Sequence, residues 1–480
     1  MLRNMASSRT FILICGLLAA TLVGATLSPP AVLILGPEVI SEKLTQGLKE
    51  HDAANILQQL PLLSAMREKP AGGIPILGSL VNSVLNLIIW LKVTSANILQ
   101  VQVQPSAHKK ELMVTIPLDM VAGFNTPLVK TIVEMHMETE AQATIRVETK
   151  SKNQTKRLVL SSCSNSRGSL RISLLRKLSF LVNPLANNVM KLLVPALPEL
   201  VKSQLCPVIK EALEDMHEDL LHLVRVPVPV GYNHLNFDLL SPAIKGNVIQ
   251  LNLAAKLLDS QENVKKRFNE SAVSLTMPAL DSSPFTLTVR QDVVNAAMAA
   301  LIPPEEIMVL LDYVLPELAL QLKSNIRVIS EKAANQLGHT QIVKILIQES
   351  PELLLDQGSA KVAQLIVLEV FATNEVRRPF FTLGIEASSN AQFHTEGDQL
   401  ILSLSEVSCD RMHLMNSNVG LFNPELLKDI SAEILASVLL PNENGKLRPG
   451  MSLPIVKALG FKAASWSLTK DALVITPVSV

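Results

Sequence analysis

The stretch from Cys163 to Val224 constrains this chain more than any other. It opens with a short strand, Ser169–Leu174, in which Leu170, Ile172 and Leu174 alternate with Arg171 and Ser173. That period points successive side chains to opposite faces. A long apolar segment follows. Leu178, Val182, Leu185, Val189, Leu192, Ala196 and Leu200 recur every three or four residues, as they must to line one face of a helix. Asn183-Pro184 reads as a cap followed by a first-turn proline. Pro195, Pro198 and Pro207 are expected to kink or interrupt the helix, because proline lacks the N–H and its ring presses on the carbonyl four residues back. Cys163 and Cys206 both lie in this stretch. Joined, they would pin the helix to the sheet it covers, a constraint of about 4 kcal/mol at most in the chain-entropy picture. The other reading is two unpaired buried thiols.

The first 25 residues read as a secretory leader: Arg3 and Arg9 form a basic start, Phe11–Val23 an apolar core too short to span a bilayer, and Val23-Gly24-Ala25 a small-residue cleavage site. Ile76–Leu91 comes closest to a membrane span, but Gly78, Ser79, Asn82, Ser83 and Asn86 interrupt it. The expectation is therefore a soluble chain in an oxidising, extracellular compartment, where cysteines pair. A chain of 480 residues exceeds what one core supports, so two domains are expected after the leader (1–25): 26–247 and 248–480. Basic and acidic residues balance at 43 each, which gives no global polycation to draw nucleic acid. Apolar residues make up 48% of the chain but aromatic ones only 3%; an interior of Leu, Val, Ile and Met suits aliphatic chains, and equally an ordinary aliphatic core.

In order, Pro37–Leu63 reads as helix and Ile74–Leu91 as a second apolar element behind Gly72-Gly73. The period then changes to two. Leu99, Val101 and Val103 alternate with glutamines; Val133, Met135 and Met137 with Glu134, His136 and Glu138; and Ala141, Ala143, Ile145 and Val147 with polar residues. These are antiparallel strands with one wet and one dry face, and the Leu178–Val224 helix is their expected cover. Residues 226–260 read as a connecting sheet. The second half is expected to hold a strand at Phe285–Val289 and helices at Val293–Ile302, Glu305–Leu322 and Gln341–Gln348. Strands follow at Ala363–Phe371, Phe381–Ala387 and Leu400–Val407, then a helix from Asn423-Pro424 to Leu440. Terminal helices that open Asn-Pro in both halves point to an internal duplication.

The chain resembles the bactericidal/permeability-increasing (BPI-fold) superfamily, and closely the long branch of the palate, lung and nasal epithelium clone (PLUNC) proteins. The segments that carry the resemblance are Leu27–Gly36 (LSPPAVLILG), Gly72–Asn82 (GGIPILGSLVN) and Leu118–Pro127 (LDMVAGFNTP). The spaced Cys163 and Cys206, Phe381–Ala387 (FTLGIEA) and Leu453–Phe461 (LPIVKALGF) complete it. The resemblance implies an α+β fold of two tandem BPI-like domains, each a twisted antiparallel sheet wrapped around long helices, joined by a central sheet into a boomerang. It implies an apolar pocket for an acyl chain in each domain, secretion into airway, nasal and oral mucosal fluid, lipopolysaccharide binding, and a role in innate immunity. Its bactericidal members carry a dense cationic tip, whereas this chain is nearly neutral. Its basic residues gather at Arg146, Lys150, Lys152, Lys156, Arg157, Arg167 and Arg171, a patch that could meet anionic lipid head groups or be a solvated strand face.

Catalytic and metal-binding signatures are missing from the sequence. His217 and His222 are five apart, which on a helix does not bring two ligands to one face. Gly73 to Gly78-Ser79 lacks a phosphate-loop lysine, and no G-x-S-x-G elbow occurs. Cys409 is left as a buried free thiol or an intermolecular partner. Asn153-Gln-Thr155 and Asn269-Glu-Ser271 are glycosylation sequons in polar sequence. The first functional expectation is a secreted, non-enzymatic binder of lipopolysaccharide or phospholipid acyl chains, with no metal, cofactor or nucleic acid and with peripheral contact to bacterial or lipid surfaces. The alternative is a surface-active or interaction protein of mucus that encloses no ligand.

Overall fold

The computed structural model describes residues 27–478 apart from 69–82, 109, 129–130, 150–154, 166–168, 177–181, 273–274, 279–282, 339 and 373–377. The expected leader, Asn153, Lys150, Lys152 and Arg167 lie outside the described residues.

Strand β1 (Ala31–Leu35) precedes a helix, Pro37–Glu50, and two short helical segments, Ala53–Gln58 and Leu62–Glu68. The single helix expected over 37–63 is thus broken, at Asp52, whose φ of 51° is left-handed, and again before Leu62. Then come β2 (Trp90–Ile98), β3 (Gln102–Pro105), β4 (Glu111–Asn125), β5 (Val133–Thr149), β6 (Lys156–Asn165) and β7 (Arg171–Leu174). They form an antiparallel sheet ordered β2-β4-β5-β6, with β3 against β4 and β7 against β5. Leu91, expected in a second apolar element, sits in β2. On β5, Val133, Met135, Met137, Ala141, Ala143 and Ile145 are buried while their neighbours face outward, the alternation of a one-sided sheet.

The cover of that sheet is a 43-residue helix, Asn183–Arg225. It passes through Pro195, Pro198 and Pro207 without interruption, so of the expected kink or interruption the second does not occur. The carbonyls those prolines leave free belong to Lys191, Val194 and Ser203, all exposed, so water can take the lost bonds. Opposite them Leu193, Leu197, Val201, Leu205 and Val208 are buried, and their burial holds the helix in phase. The Pro37–Glu50 helix lies close against it: a Cβ at Gly47 would fall 3.0 Å from Ala212 Cβ. By length and composition alone the long helix could cross a membrane, which amends the reading that no later stretch could; here its apolar stripe faces the sheet.

Next come β8 (Val228–Val230), β9 (Asn233–Lys245), β10 (Val248–Leu258), β11 (Val264–Phe268) and β12 (Phe285–Arg290), followed by the helix Gln291–Leu301. The C-terminal sheet holds β13 (Glu306–Leu310), β14 (Gln341–Ile347), β15 (Glu352–Asp356), β16 (Ser359–Ala372), β17 (Phe381–Glu396), β18 (Gln399–Ser417) and β19 (Met451–Ser452), ordered β13-β14-β16-β17-β18-β19 with β15 on β16. The chain closes with β20 (Ala464–Thr469) and β21 (Ala472–Pro477), which return to the central sheet β20-β21-β12-β1-β10-β9-β8, with β11 on β10. Strand β1 is its keystone: Leu33 stands opposite both Leu251 and Leu287, so the start of the first half pairs with the start of the second. The expected domain boundary at 247/248 falls on the turn between β9 and β10.

The helix expected at Gln341–Gln348 is a strand, and so is the first part of the one expected at Glu305–Leu322. Gln341–Ile347 has alternate residues buried and pairs with both β13 and β16; a seven-residue β-branched run is too short to show a helical period. Glu306–Leu310 joins it as an edge strand, ahead of the helices Leu311–Val314 and Pro316–Ile329. The helix expected to stop at Leu440 continues to Leu447. It runs as a 3₁₀ turn (Pro424–Leu427), α-helix (Lys428–Ile434), π turn (Leu435–Leu439) and α-helix (Leu440–Leu447). A π turn adds one residue and so rotates the downstream side chains by about 100°. Continued from Ile430 and Ile434, an unbroken α-helix would turn Pro441 and Gly445 inward. The π turn brings Leu440, Glu443 and Leu447 inward instead.

The buried apolar residues form two main bodies. The larger runs from the N-terminal sheet through the central sheet to Val362, Phe393, Leu404 and Leu447. The other fills the far end of the C-terminal sheet, around Val343, Leu368, Leu383, Met412 and Leu439.

Candidate functional site

Where the long helix ends, its last turn meets the central sheet and the C-terminal domain. Leu223 and Val224 of the helix, Phe237 of β9, Leu253 of β10, Leu287 and Val289 of β12, Val294 and Ala297 of the following helix, and Met451, Leu453 and Ile455 enclose a slit. Its open volume is only about 60 Å³, and every residue lining it is apolar. Its walls nearly touch. A second, nearly closed apolar cleft of about 10 Å³ lies between β4, β5 and the two helices of the N-terminal domain, bounded by Leu48, Ile116, Ile145 and Ile209. Sequence reading missed the first slit because its walls are drawn from positions 223 to 475. The legible signals were the alternation of Val226, Val228 and Val230 and the segment Leu453–Phe461.

Cys163 of β6 and Cys206 of the long helix are bonded, with Cα atoms 5.9 Å apart. Cys409 is free and buried, and burial pushes its thiol up to about 11.

Four residues of the expected basic patch, Arg146, Lys156, Arg157 and Arg171, are described. Arg146 is exposed and lies 3.7 Å from Glu148, directly across from Glu111. Lys156 and Arg157 begin β6, with Arg157 opposite Glu148. Arg171 stands opposite Glu138, ten residues away along β5, on the order of 30 Å at the rise of an extended strand. Each described arginine of the patch therefore faces a carboxylate on the neighbouring strand. Lys156 and Arg157 border a groove with Glu214, His217, Glu218, Arg225 and Leu240. This groove lies toward the waist, against the C-terminal part of the long helix. Burial holds His217 below the usual histidine range, with Glu218 opposing the shift and Arg157 adding to it. Lys156 and Leu240 also border a second groove with Asn269 and Glu270. Asn269 is exposed, while its backbone carbonyl accepts a hydrogen bond from the Arg290 guanidinium at 2.9 Å. Among the described residues no group of three or more His, Cys, Asp or Glu side chains could hold a metal.

A fold of two sheet-and-helix domains sharing a central sheet, with an apolar slit at the junction, defines a class. Models of the LBP / BPI / CETP family match residues 47–216 as its N-terminal domain and 233–477 as its C-terminal domain. The chain belongs to this family. It is 68% identical over 476 residues to human BPI fold-containing family B member 1, covering 99% of this chain and 98% of that one. The mouse protein of the same name is 57% identical, over 99% of this chain and all of its own length. Among solved structures, the crystal structure of lipopolysaccharide binding protein aligns with a TM-score of 0.51 over 94% of this chain and 99% of that one. At 14% identity that likeness establishes the fold.

Proposed function

We propose that this protein houses the acyl chains of lipopolysaccharide or phospholipid in the waist slit. On this reading it is secreted into airway, nasal and oral mucosal fluid and modulates innate responses to bacterial endotoxin without catalysis. The observation that carries the reading is the wholly apolar lining of the waist slit, whose closely spaced walls would have to part around a tail. Burial contributes about 0.8 kcal/mol per methylene, so a tail of about fourteen carbons gains on the order of 10 kcal/mol before ordering costs. The names of its relatives, family B member 1 and lipopolysaccharide binding protein, point the same way, and the disulfide suits an oxidising compartment. We further assign Lys156 and Arg157 to head-group phosphates, Asn153 and Asn269 to N-glycans, and the two domains to 26–247 and 248–480.

Native mass spectrometry and lipid extraction test the tail site. Wild-type protein is expected to carry tail-bearing lipid, and Ala297→Trp, which fills the slit, to carry far less. Lipid-free wild type, or an equal load in the variant, overturns the site. Lys156→Glu with Arg157→Glu should weaken lipopolysaccharide capture without emptying the slit.

One observation favours the surface-active reading. Ile89, Leu128, Ile132 and Leu175 are roughly half exposed or more and gather at one end of the N-terminal sheet. There Ile89 bonds Asn125, Phe124 pairs with Val133, and Leu175 bonds Glu134. Such an apolar end would contact an air–water or lipid surface. Surface tension lowered equally by wild type and Ala297→Trp would separate this activity from the slit.

A further inference from the structure

Gln364 of β16 and Glu443 of the helix Leu440–Leu447 meet where the two apolar bodies part. Val362 and Leu447 belong to the larger body, Ile366 and Leu439 to the smaller. Between them Gln364 is 6% exposed and Glu443 fully buried. The Gln364 amide donates from Nε2 to Glu443 Oε1 at 2.8 Å. The remaining oxygen of each, Gln364 Oε1 and Glu443 Oε2, is buried without a partner. Both are acceptors, so neither can satisfy the other. One proton resolves both.

We propose that Glu443 is a proton-operated latch across this seam: protonated, its Oε2–H donates to Gln364 Oε1 and closes an acid–amide ring, and ionised, it leaves a buried charge that loosens the far end of the C-terminal domain from the waist. The proton comes from solvent and no other bond is made or broken. A carboxamide and a neutral carboxylic acid each offer one donor and one acceptor edge, so the ring satisfies all four atoms. The charged groups around Glu443 fit the role. Burial pushes its carboxyl up to about 7; the Gln364 hydrogen bond opposes this, Glu305 adds to it and Lys446 opposes it. Glu305 comes from the segment ahead of β13 and is itself paired with Lys446, while its other oxygen is buried and unpartnered. Strand β18 meets this helix through Leu404, whose backbone N–H and C=O both bond Asn444. His394, Glu396 and Arg448 border a different groove, beside Asn444. The π turn just ahead of Glu443 is a natural point of give, since π turns interrupt regular helical bonding.

The carboxyl binds its proton more tightly in the closed state than in the open one, so closure is favoured at low pH and weakens as pH rises toward the closed-state value. Amide hydrogen exchange read by mass spectrometry, corrected for intrinsic rates, tests this on the full-length protein. From about pH 5.5 to about pH 7.5 the opening equilibrium of segments around 362–368 and 438–447 should rise on the order of tenfold in wild type. It should stay flat in Glu443→Gln, while the N-terminal sheet, covered by the helix where His217 titrates with the opposite sign, should show no such rise in either protein. Glu305→Gln, which removes the neighbouring charge, should move the wild-type midpoint to lower pH. The same pH dependence in wild type and Glu443→Gln overturns the proposal. If Glu443→Gln does not fold, a midpoint that Glu305→Gln leaves in place overturns it equally.

Discussion

Two helices, one per half, begin with the same dipeptide and are built differently. Asn183-Pro184 opens 43 residues of continuous α-helix that absorb three prolines. Asn423-Pro424 opens a helix that changes from 3₁₀ to α to π and back to α around a single internal proline, Pro441. In the first, a buried stripe runs the full length and a disulfide at Cys206 ties the middle to β6, so one phase is enforced throughout. In the second, two apolar bodies meet along the helix, and the π turn shifts its phase to serve both. The cysteine of that half, Cys409, has no partner thiol. A proline's effect is set by what the rest of the helix must bury.

The sharpest way to break this contrast is to remove sulfur from each half. Cys206→Ala should cost the N-terminal half about 2–4 kcal/mol, read from urea unfolding with domain-resolved hydrogen exchange. Cys409→Ala trims only one buried atom and should cost about 1 kcal/mol. Equal losses would mean the disulfide does not distinguish the halves.

Acidity should also separate them, with opposite signs. Glu443 has a raised folded value, about 7 against an ordinary 4.5, so its contribution is complete below the lower value. It fades as pH rises through the upper one, a loss of about 3 kcal/mol to the C-terminal half. His217 is held below its ordinary value, so the N-terminal half keeps that contribution above pH 6.5 and loses it as pH falls. Thermal unfolding followed across pH in Glu443→Gln and His217→Gln should flatten one limb each; a single shared profile unaffected by either variant would contradict the assignment.

The smallest effect concerns the shared dipeptide. Asn423 accepts a hydrogen bond from the Glu425 N–H at 3.2 Å, so Asn423→Ala should cost about 1 kcal/mol. Asn183 is already inside its helix, whose N-cap position is Val182, so Asn183→Ala should stay within about 0.5 kcal/mol of wild type by chemical denaturation.

Much of the fold was legible because its elements are long and one-sided. The alternation on Val133–Val147 and the three-four spacing from Leu185 to Leu200 mark a sheet and its covering helix, and three cysteines after the expected leader narrow the pairing. The readings that failed are short or contextual. Gln341–Ile347 is too brief to declare its period, and the prolines of the long helix do not interrupt it because the carbonyls they leave free belong to exposed residues, which is invisible in sequence. What chain order also hides is that each described arginine between Arg146 and Arg171 stands opposite a carboxylate on the neighbouring strand.

Composition and periodicity determined that the outer sheets of this chain are antiparallel with one dry face each, covered by amphipathic helices and filled with aliphatic side chains. Those features depend on neighbours a few residues away, and the local sequence states them. Only the tertiary structure decided that β1 would join the two halves and that residues from 223 to 475 would enclose one apolar slit. It likewise placed Gln364 and Glu443 together on the seam. These depend on which distant surfaces meet, and that is settled by the packing of the whole chain.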